Sequence, residues 1–227
     1  MEMKKAGTES VHISDRITDF VQKNRKPLLA VMIIAAVGIV GLAVFFSVRN
    51  GLQKKAIITL EEIEEKRALL GDLSDGSKSA EAEDLLQEIT EFAPKTFGYA
   101  SARSYSLAAS IYMDQGDWEK AEAAYLDSAR KAGKTYLNPL GLYNAAVAAE
   151  EQGNLEKALD YYTQSLDFSG NFPAASRARF NMGRIYETRK DAEAALEAYR
   201  TLIEKASPDS NWAKLAQSRI IAIEMSK

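Results

Sequence analysis

The sequence predicts an all-α protein: a single N-terminal transmembrane helix, then an α-solenoid of about three to four helix pairs ending in a capping helix. Three observations predict it. Leu28 to Val48 is a run of 21 residues without a charge. A motif then recurs every 37 residues through the rest of the chain. After its last copy, Trp212, Leu215, Ala216, Ile220 and Ile223 form one apolar stripe, the signature of a helix that covers the open end of a stack.

The apolar run is interrupted only by Gly38, Gly41 and Ser47. At about 1.5 Å per residue it crosses the roughly 30 Å hydrocarbon core of a bilayer. Pro27 stands where a missing amide proton costs a helix little. A cleaved signal peptide has a shorter core, of about 7–15 residues, followed by a small-x-small site, and the sequence favours an uncleaved anchor. Lys23, Arg25 and Lys26 flank one side and Arg49, Lys54 and Lys55 the other, so the charge rule for orientation nearly ties. The short tail counts for more than the long segment, which predicts an N-terminus inside. Before the run, Ile13, Ile17, Phe20 and Val21 share a helical face after Ser14, a candidate cap, and read as a short interfacial helix. The expected organisation is a basic tail (1–27), a transmembrane helix (28–48) and a helical-repeat domain (49–227).

The repeat is carried by Gln115-Gly116-Asp117-Trp118-Glu119-Lys120-Ala121, echoed by Gln152-Gly153-Asn154-Leu155-Glu156-Lys157-Ala158 and more weakly by Arg189-Lys190-Asp191-Ala192-Glu193-Ala194-Ala195. Four residues beyond each terminal alanine stands a tyrosine: Tyr125, Tyr162 and Tyr199. This arrangement resembles the tetratricopeptide repeat, a pair of antiparallel helices whose copies stack into a superhelix. The resemblance places Ala109 on Ala121, Ala146 on Ala158 and Gly183 on Ala195 where the paired helices cross, since a larger side chain there would force them apart. Tyr112 and Tyr186 fall at a large-residue position, where the middle copy has Ala149. A period of 37 exceeds the family's usual length of about 34, and Gly133 and the segment 169–173 mark the slack. A degenerate fourth copy precedes these, with Ala82, Leu86, Ile89 and Pro94 in its second helix, Asp75-Gly76 as its turn and a first helix from Lys54 to Leu73.

Composition excludes much chemistry. The chain has no cysteine and one histidine, His12 in the leader, so thiol chemistry, disulfides and Cys-ligated metals are ruled out. A chain without cysteine suits an oxidising compartment. Residues 50–227 carry 22 basic and 28 acidic groups, a poor match for a phosphate backbone, and nucleic acid is not expected as a partner. The carboxylate runs, such as Glu61-Glu62 and Glu64-Glu65, lie beside Lys54, Lys55, Lys66 and Arg67 and read as solvated helix faces with ion pairs at spacing four. No phosphate loop, nucleophile elbow or paired-histidine helix is present, so neither an enzyme, a cofactor, a metal nor a small-molecule substrate is expected.

Recognition remains. In this repeat family the concave groove is lined by particular first-helix positions. Carried over one by one, they are Arg103, Ser106, Leu107, Ser110 and Met113, then Leu140, Tyr143, Asn144, Val147 and Glu150, then Arg177, Phe180, Asn181, Arg184 and Glu187. Asn144 and Asn181 are equivalent positions, and two amides in series could pair with an extended peptide backbone without reading its sequence. Arg177 and Arg184, two turns apart, could hold an acidic side chain or a C-terminal carboxylate. Asn144 and Arg177 agree with the family's carboxylate clamp for chaperone tails, but Ser106 and Ser110 stand where it has lysine and asparagine. The alternative is that these are ordinary polar residues on wet helices.

A basic tail, one anchor and a compact helical-repeat domain together resemble the YfgM family of bacterial inner-membrane proteins, a likeness shared by Phe97-Gly98-Tyr99-Ala100-Ser101-Ala102 at the start of the first full repeat. The resemblance implies repeats exposed to the periplasm and protein partners: the SecYEG translocon, a membrane-anchored periplasmic chaperone, and unfolded or extended peptide. Lipid would be contacted through residues 28–48. Two alternatives stay open, a scaffold for another envelope complex and an anchored import receptor with its repeats in the cytosol.

Overall fold

A computed structural model describes residues 15–71, 78–207 and 209–225. His12, Ile13, Ser14, the Asp75-Gly76 turn and Pro208 lie outside the described residues. The structure is helical throughout, with no strand among the described residues. The chain divides into two compact units at Lys54/Lys55.

In the first unit a short helix, α1 (15–23), ends at Asn24, whose side-chain amide donates to the Phe20 carbonyl at 2.9 Å. There α2 (Arg25–Leu70) begins. From Leu29 to Val48 every residue of α2 is exposed, with Ile34 at 72% and Ile39 at 68%. By length and composition α2 can cross a membrane.

The second unit opens with the residues of α2 after Lys54. Leu60, Ile63 and Leu70 are buried against α3 (Ser79–Phe92) and α4 (Tyr99–Asp114), through Leu85, Leu86 and Ile89 on one and Leu107, Ala108 and Ile111 on the other. That is the degenerate first pair. A 3₁₀ turn at Ala93–Lys95 carries Pro94 and leads into α4, and the Ser101 hydroxyl ties the junction by donating to the Ala93 carbonyl at 2.7 Å. Three full pairs follow: α4 with α5 (Trp118–Ala132), α6 (Leu137–Glu151) with α7 (Leu155–Leu166), and α8 (Ala175–Thr188) with α9 (Ala192–Lys205). The last, α10 (Asn211–Met225), buries Ala213, Ala216 and Ile223 on α9 residues Ala195, Leu196, Tyr199 and Leu202. Of the predicted stripe Ala216 and Ile223 are buried, Trp212 and Ile220 are half-buried, and Leu215 faces outward, its place taken by Ala213.

The recurring motif is one turn built three times. Gly116, Gly153 and Lys190 take left-handed backbone with φ of 73°, 75° and 60°. The next residue in each case, Asp117, Asn154 or Asp191, caps the following helix by accepting from the amide three residues on, at 3.2, 3.4 and 3.0 Å. Its own amide donates back to the preceding helix at 2.9 Å in all three. Past the turn, Ala121, Ala158 and Ala195 are fully buried, as are Ala109 and Ala146 on the facing helices. Gly183 is buried too, and the group against it is the Tyr199 ring: a Cβ there would lie 2.6 Å from its Cζ. The third crossing is thus closed by an aromatic ring on a glycine.

The extra residues of the period are absorbed in two ways. The first full repeat has a 15-residue α5 and a short connector at Gly133, whose φ is 60°. The second has a 12-residue α7 and spends the slack on residues 167–174, from which Phe172 turns inward against Tyr143 at 6.4 Å between ring centroids. Pro139 sits in the first turn of α6 and Pro173 in this connector, where their missing donors are harmless. Gly141 on α6 has no counterpart in the sequence argument. A Cβ there would stand 2.8 Å from the Tyr125 carbonyl oxygen, so α5 and α6 approach backbone to backbone.

Candidate functional site

The predicted groove residues lie on α4, α6 and α8, and the structure treats them unequally. Arg103 on α4 is spent: its Nε donates to Glu64 of α2 at 2.6 Å. The Ser110 hydroxyl donates to the Leu107 carbonyl at 2.8 Å and accepts from Arg67 Nε at 3.3 Å, while the Arg67 guanidinium also pairs with Asp114. Ser106 is half-buried. The α4 end of the predicted groove is therefore stitched to α2, and its cations are occupied.

On α6 and α8 the geometry centres on tyrosine hydroxyls. Tyr162 of α7 is fully buried, and its hydroxyl accepts from Asn181 Nδ2 at 2.9 Å and donates to Glu150 at 3.3 Å. Asn181 Nδ2 also reaches the Tyr143 hydroxyl at 3.4 Å, and the Tyr143 and Tyr162 rings pack at 5.5 Å between centroids. Burial pushes both phenols above their usual range, with the Glu150 carboxylate reinforcing it at Tyr162. Glu150 is in turn ion-paired with Arg184. One repeat on, the Tyr199 hydroxyl donates to Glu187 at 2.5 Å, and Glu187 pairs with Arg219 of α10. The bonds from Arg219 are the main reason its carboxyl is held below the ordinary range, outweighing burial.

Asn144 and Asn181, equivalent in sequence, thus differ. Asn181 gives its amide donors to two tyrosines. Asn144 is half-buried and has no intramolecular hydrogen-bond partner among the described residues. Arg177 and Arg184 differ too. Arg184 is taken by Glu150, whereas Arg177 is exposed, its guanidinium 5.7 Å from the Tyr143 ring centre and 6.0 Å from that of Trp212. Phe180 extends the aromatic surface, 5.4 Å from Trp212 and 5.5 Å from Tyr199. Tyr143, predicted to line the groove, is instead buried beneath Arg177, so what remains for a ligand on this face is a strip of the half-buried Phe180 and Trp212 with Arg177 across it and Asn144 beside it. Such a strip offers stacking, one cation and one amide; it is not a row of charges.

Several of these residues escape the motif argument. Trp212 reads as part of a cap, and Arg67 and Glu64 as solvated charges. The tyrosine–glutamate pairs had a signal: Glu150/Tyr162 and Glu187/Tyr199 share a spacing of 12 and repeat at 37. Among the described residues no group of His, Asp and Glu side chains converges to hold a metal ion.

Comparison with known proteins bears on the fold. The family profile described as Tetratricopeptide repeat matches residues 106–171 and 166–211. A "TPR repeat-containing protein" of Treponema pallidum is 38% identical over 128 residues, 56% of this chain and 53% of that one, so the chain spans about half the length of this curated relative. Among solved structures, the nearly identical TPR-like repeats of a kinesin-light-chain-type protein from Podosopora anserina superpose with a TM-score of 0.57 at 12% identity, covering 73% of this chain and 87% of that one. BtubC (BKLC) from P. vanneervenii gives a TM-score of 0.50 at 16% identity, covering 78% and 91%. At these identities the structural likeness is one of fold. Residues 106–211 match the tetratricopeptide-repeat profile, and the fold is an all-helical, TPR-like solenoid.

Proposed function

We propose that this chain is a non-enzymatic, membrane-anchored protein-interaction module, an accessory factor of protein export or periplasmic chaperoning at a bacterial inner membrane. Residues 1–27 form the cytoplasmic tail, 28–48 the transmembrane helix and 49–227 the periplasmic interaction domain. Its partners are a translocon, a membrane-anchored chaperone, or extended segments of emerging chains. The observation that carries the reading is the joining of two features in one sequence: a helix apolar and exposed on every side from Leu29 to Val48, and a repeat fold whose helices bury their own apolar faces. An unpartnered apolar helix of that length has no reason to exist in water. The face formed by Asn144, Arg177, Phe180 and Trp212 supports an extended ligand, since the amide serves a peptide backbone and the rings serve side chains of varied shape.

The test is photocrosslinking in intact cells from probes placed at Asn144 and Arg177, together with a reporter enzyme fused after Lys227. A reporter active only in the cytosol excludes the periplasmic reading. Probes that capture envelope-assembly proteins while leaving translocon, chaperone and exported chains unlabelled exclude the export role.

A further inference from the structure

On α8, the side opposite Arg177, Asn181 and Arg184 carries Arg179, Met182 and Tyr186, as the 100° step of a helix requires. These three floor a cleft of about 260 Å³ between α7 and α9, walled by Leu166, Ala194 and Ala198. This is smaller than the roughly 300–1,000 Å³ of ordinary small-molecule pockets and suits a single side chain.

One repeat earlier the corresponding place is filled. Tyr161 packs against Ala124 and Ala145, and its hydroxyl donates to Glu122 at 2.9 Å. Glu122 also receives Lys157 at 3.1 Å and Gln152 at 2.7 Å. Shifted by 37 residues, Tyr161 becomes Ala198, Glu122 becomes Leu159, Lys157 becomes Ala194 and Leu142 becomes Arg179. The third repeat has therefore lost the Tyr161 ring, the carboxylate and the ammonium and gained a guanidinium, while Ala145 and Ala149 become Met182 and Tyr186, which fill part of the floor and leave the cleft at its small size. Arg179 is half-buried and makes no ion pair among the described residues. Burial alone depresses its pKa, the mark of a cation that has given up water without gaining a counter-charge. Glu197 lines the same cleft and is exposed, and it forms no ion pair with Arg179 among the described residues.

We propose that this cleft is a docking slot, separate from the groove, for a partner-protein segment that presents an aromatic side chain beside a carboxylate. The ring occupies the space that Tyr161 occupies one repeat earlier. The carboxylate supplies Arg179 with the counter-charge the chain withholds, in a partly desolvated setting where a charge-assisted hydrogen bond is stronger than on open surface. Glu197 on the rim disfavours a purely acidic segment and makes the ring necessary.

The experiment uses the full chain in lipid nanodiscs and fluorescence anisotropy of labelled, end-blocked glycine–serine peptides. One carries a phenylalanine flanked by two aspartates; the controls have alanine in place of phenylalanine, or lysine in place of aspartate. The first should bind about tenfold more tightly than either control, the scale of one good charge-assisted contact or one buried ring. Ala198→Tyr, which fills the slot as the preceding repeat fills its own, should abolish binding. Arg179→Leu should erase the preference for aspartate over lysine, and Arg179→Glu should reverse it, with circular dichroism confirming the fold of each variant. Equal affinity for all three peptides, no affinity for any, or intact binding by a folded Ala198→Tyr variant overturns the proposal. Loss of the same binding in Asn144→Ala would place the peptide in the groove and overturn it as well.

Discussion

The two asparagines that the repeat makes equivalent offer the sharpest test of the structure. Asn181→Ala removes the 2.9 Å hydrogen bond to the Tyr162 hydroxyl and the longer 3.4 Å bond to that of Tyr143. Tyr162 is fully buried, so water cannot take the amide's place without entering the core. The Tyr162 hydroxyl keeps Glu150 as acceptor at 3.3 Å, which places the cost at the lower end of the range for an unsatisfied buried group, about 1–2 kcal/mol. For a domain of this size that lowers the melting midpoint by about 2–8 °C. Asn144→Ala removes no intramolecular bond, exchanges a moderate helix former for the best one, and should stay within about 0.5 kcal/mol of the parent. The assay is thermal unfolding of the three full-length proteins in one detergent, followed by far-ultraviolet circular dichroism and tryptophan fluorescence. If the two variants melt within about 1 °C of each other, the inward orientation of Asn181 is wrong and the groove is symmetric after all.

Ala158→Leu, at a fully buried crossing, should cost about 1–3 kcal/mol by overpacking, and an unchanged unfolding midpoint would refute the assigned crossing. Lys190→Gly relieves a lysine at φ 60°, where the two preceding turns use glycine, and should stabilise by about 0.5–1 kcal/mol in chemical denaturation; a loss of stability would mean the left-handed turn is misassigned. Burial raises the Glu122 carboxyl, but bonds from Gln152, Tyr161 and Lys157 together outweigh it and hold the group below its ordinary 4.5. Its contribution is therefore present above about pH 4.5 and lost as the pH falls below that, so Glu122→Gln should lower stability at neutral pH and flatten the acid limb of a pH–stability profile. An acid limb identical to the parent's would remove Glu122 from the account.

How much of this was legible in the sequence depends on whether a feature repeats. The turn at Gly116-Asp117, Gly153-Asn154 and Lys190-Asp191 recurs because a left-handed residue and a helix cap are needed each time the chain reverses, and three copies in register made the helix pairs visible. The buried alanines were legible for the same reason. The candidate site was only half legible. Periodicity assigns Asn144, Asn181, Arg177 and Arg184 to one face, but it cannot say which side chains are consumed by neighbours that differ between repeats. Asn181 turns inward because the Tyr162 hydroxyl of α7 and, one repeat back, the Tyr143 hydroxyl of α6 stand within reach. The equivalents of those two tyrosines for Asn144 are Tyr125 and Ser106, which both carry hydroxyls, yet neither bonds Asn144; the repeat alone does not foretell that difference. Arg103 is held by Glu64, which belongs to a copy too degenerate to align. The cleft lined by Arg179 is invisible to motif matching, since it is defined by what the third copy lacks.

The polar contacts explain why the face of α6 and α8 that carries Asn144 and Arg177 ends with so little free charge. In Tyr162–Glu150–Arg184 and Tyr199–Glu187–Arg219 a phenol from the second helix of a pair, a carboxylate from the first and a guanidinium from the next helix in the stack meet. Each triad spans three helices, so it constrains the angle between successive pairs in a way that small residues at a crossing, which act within one pair, do not. A buried phenol and a mostly buried carboxylate hold one geometry better than an open ion pair would, because each must keep its partner to remain satisfied. The same arrangement withdraws Arg184, Glu150 and Glu187 from any ligand. What is left on this face is Arg177 and the half-buried rings of Phe180 and Trp212, whose attraction would rest on contact area and depend weakly on salt. A face of that kind has one cation by which to select a segment, so under the proposed reading further discrimination by charge falls to Arg179, on the other side of the same helix.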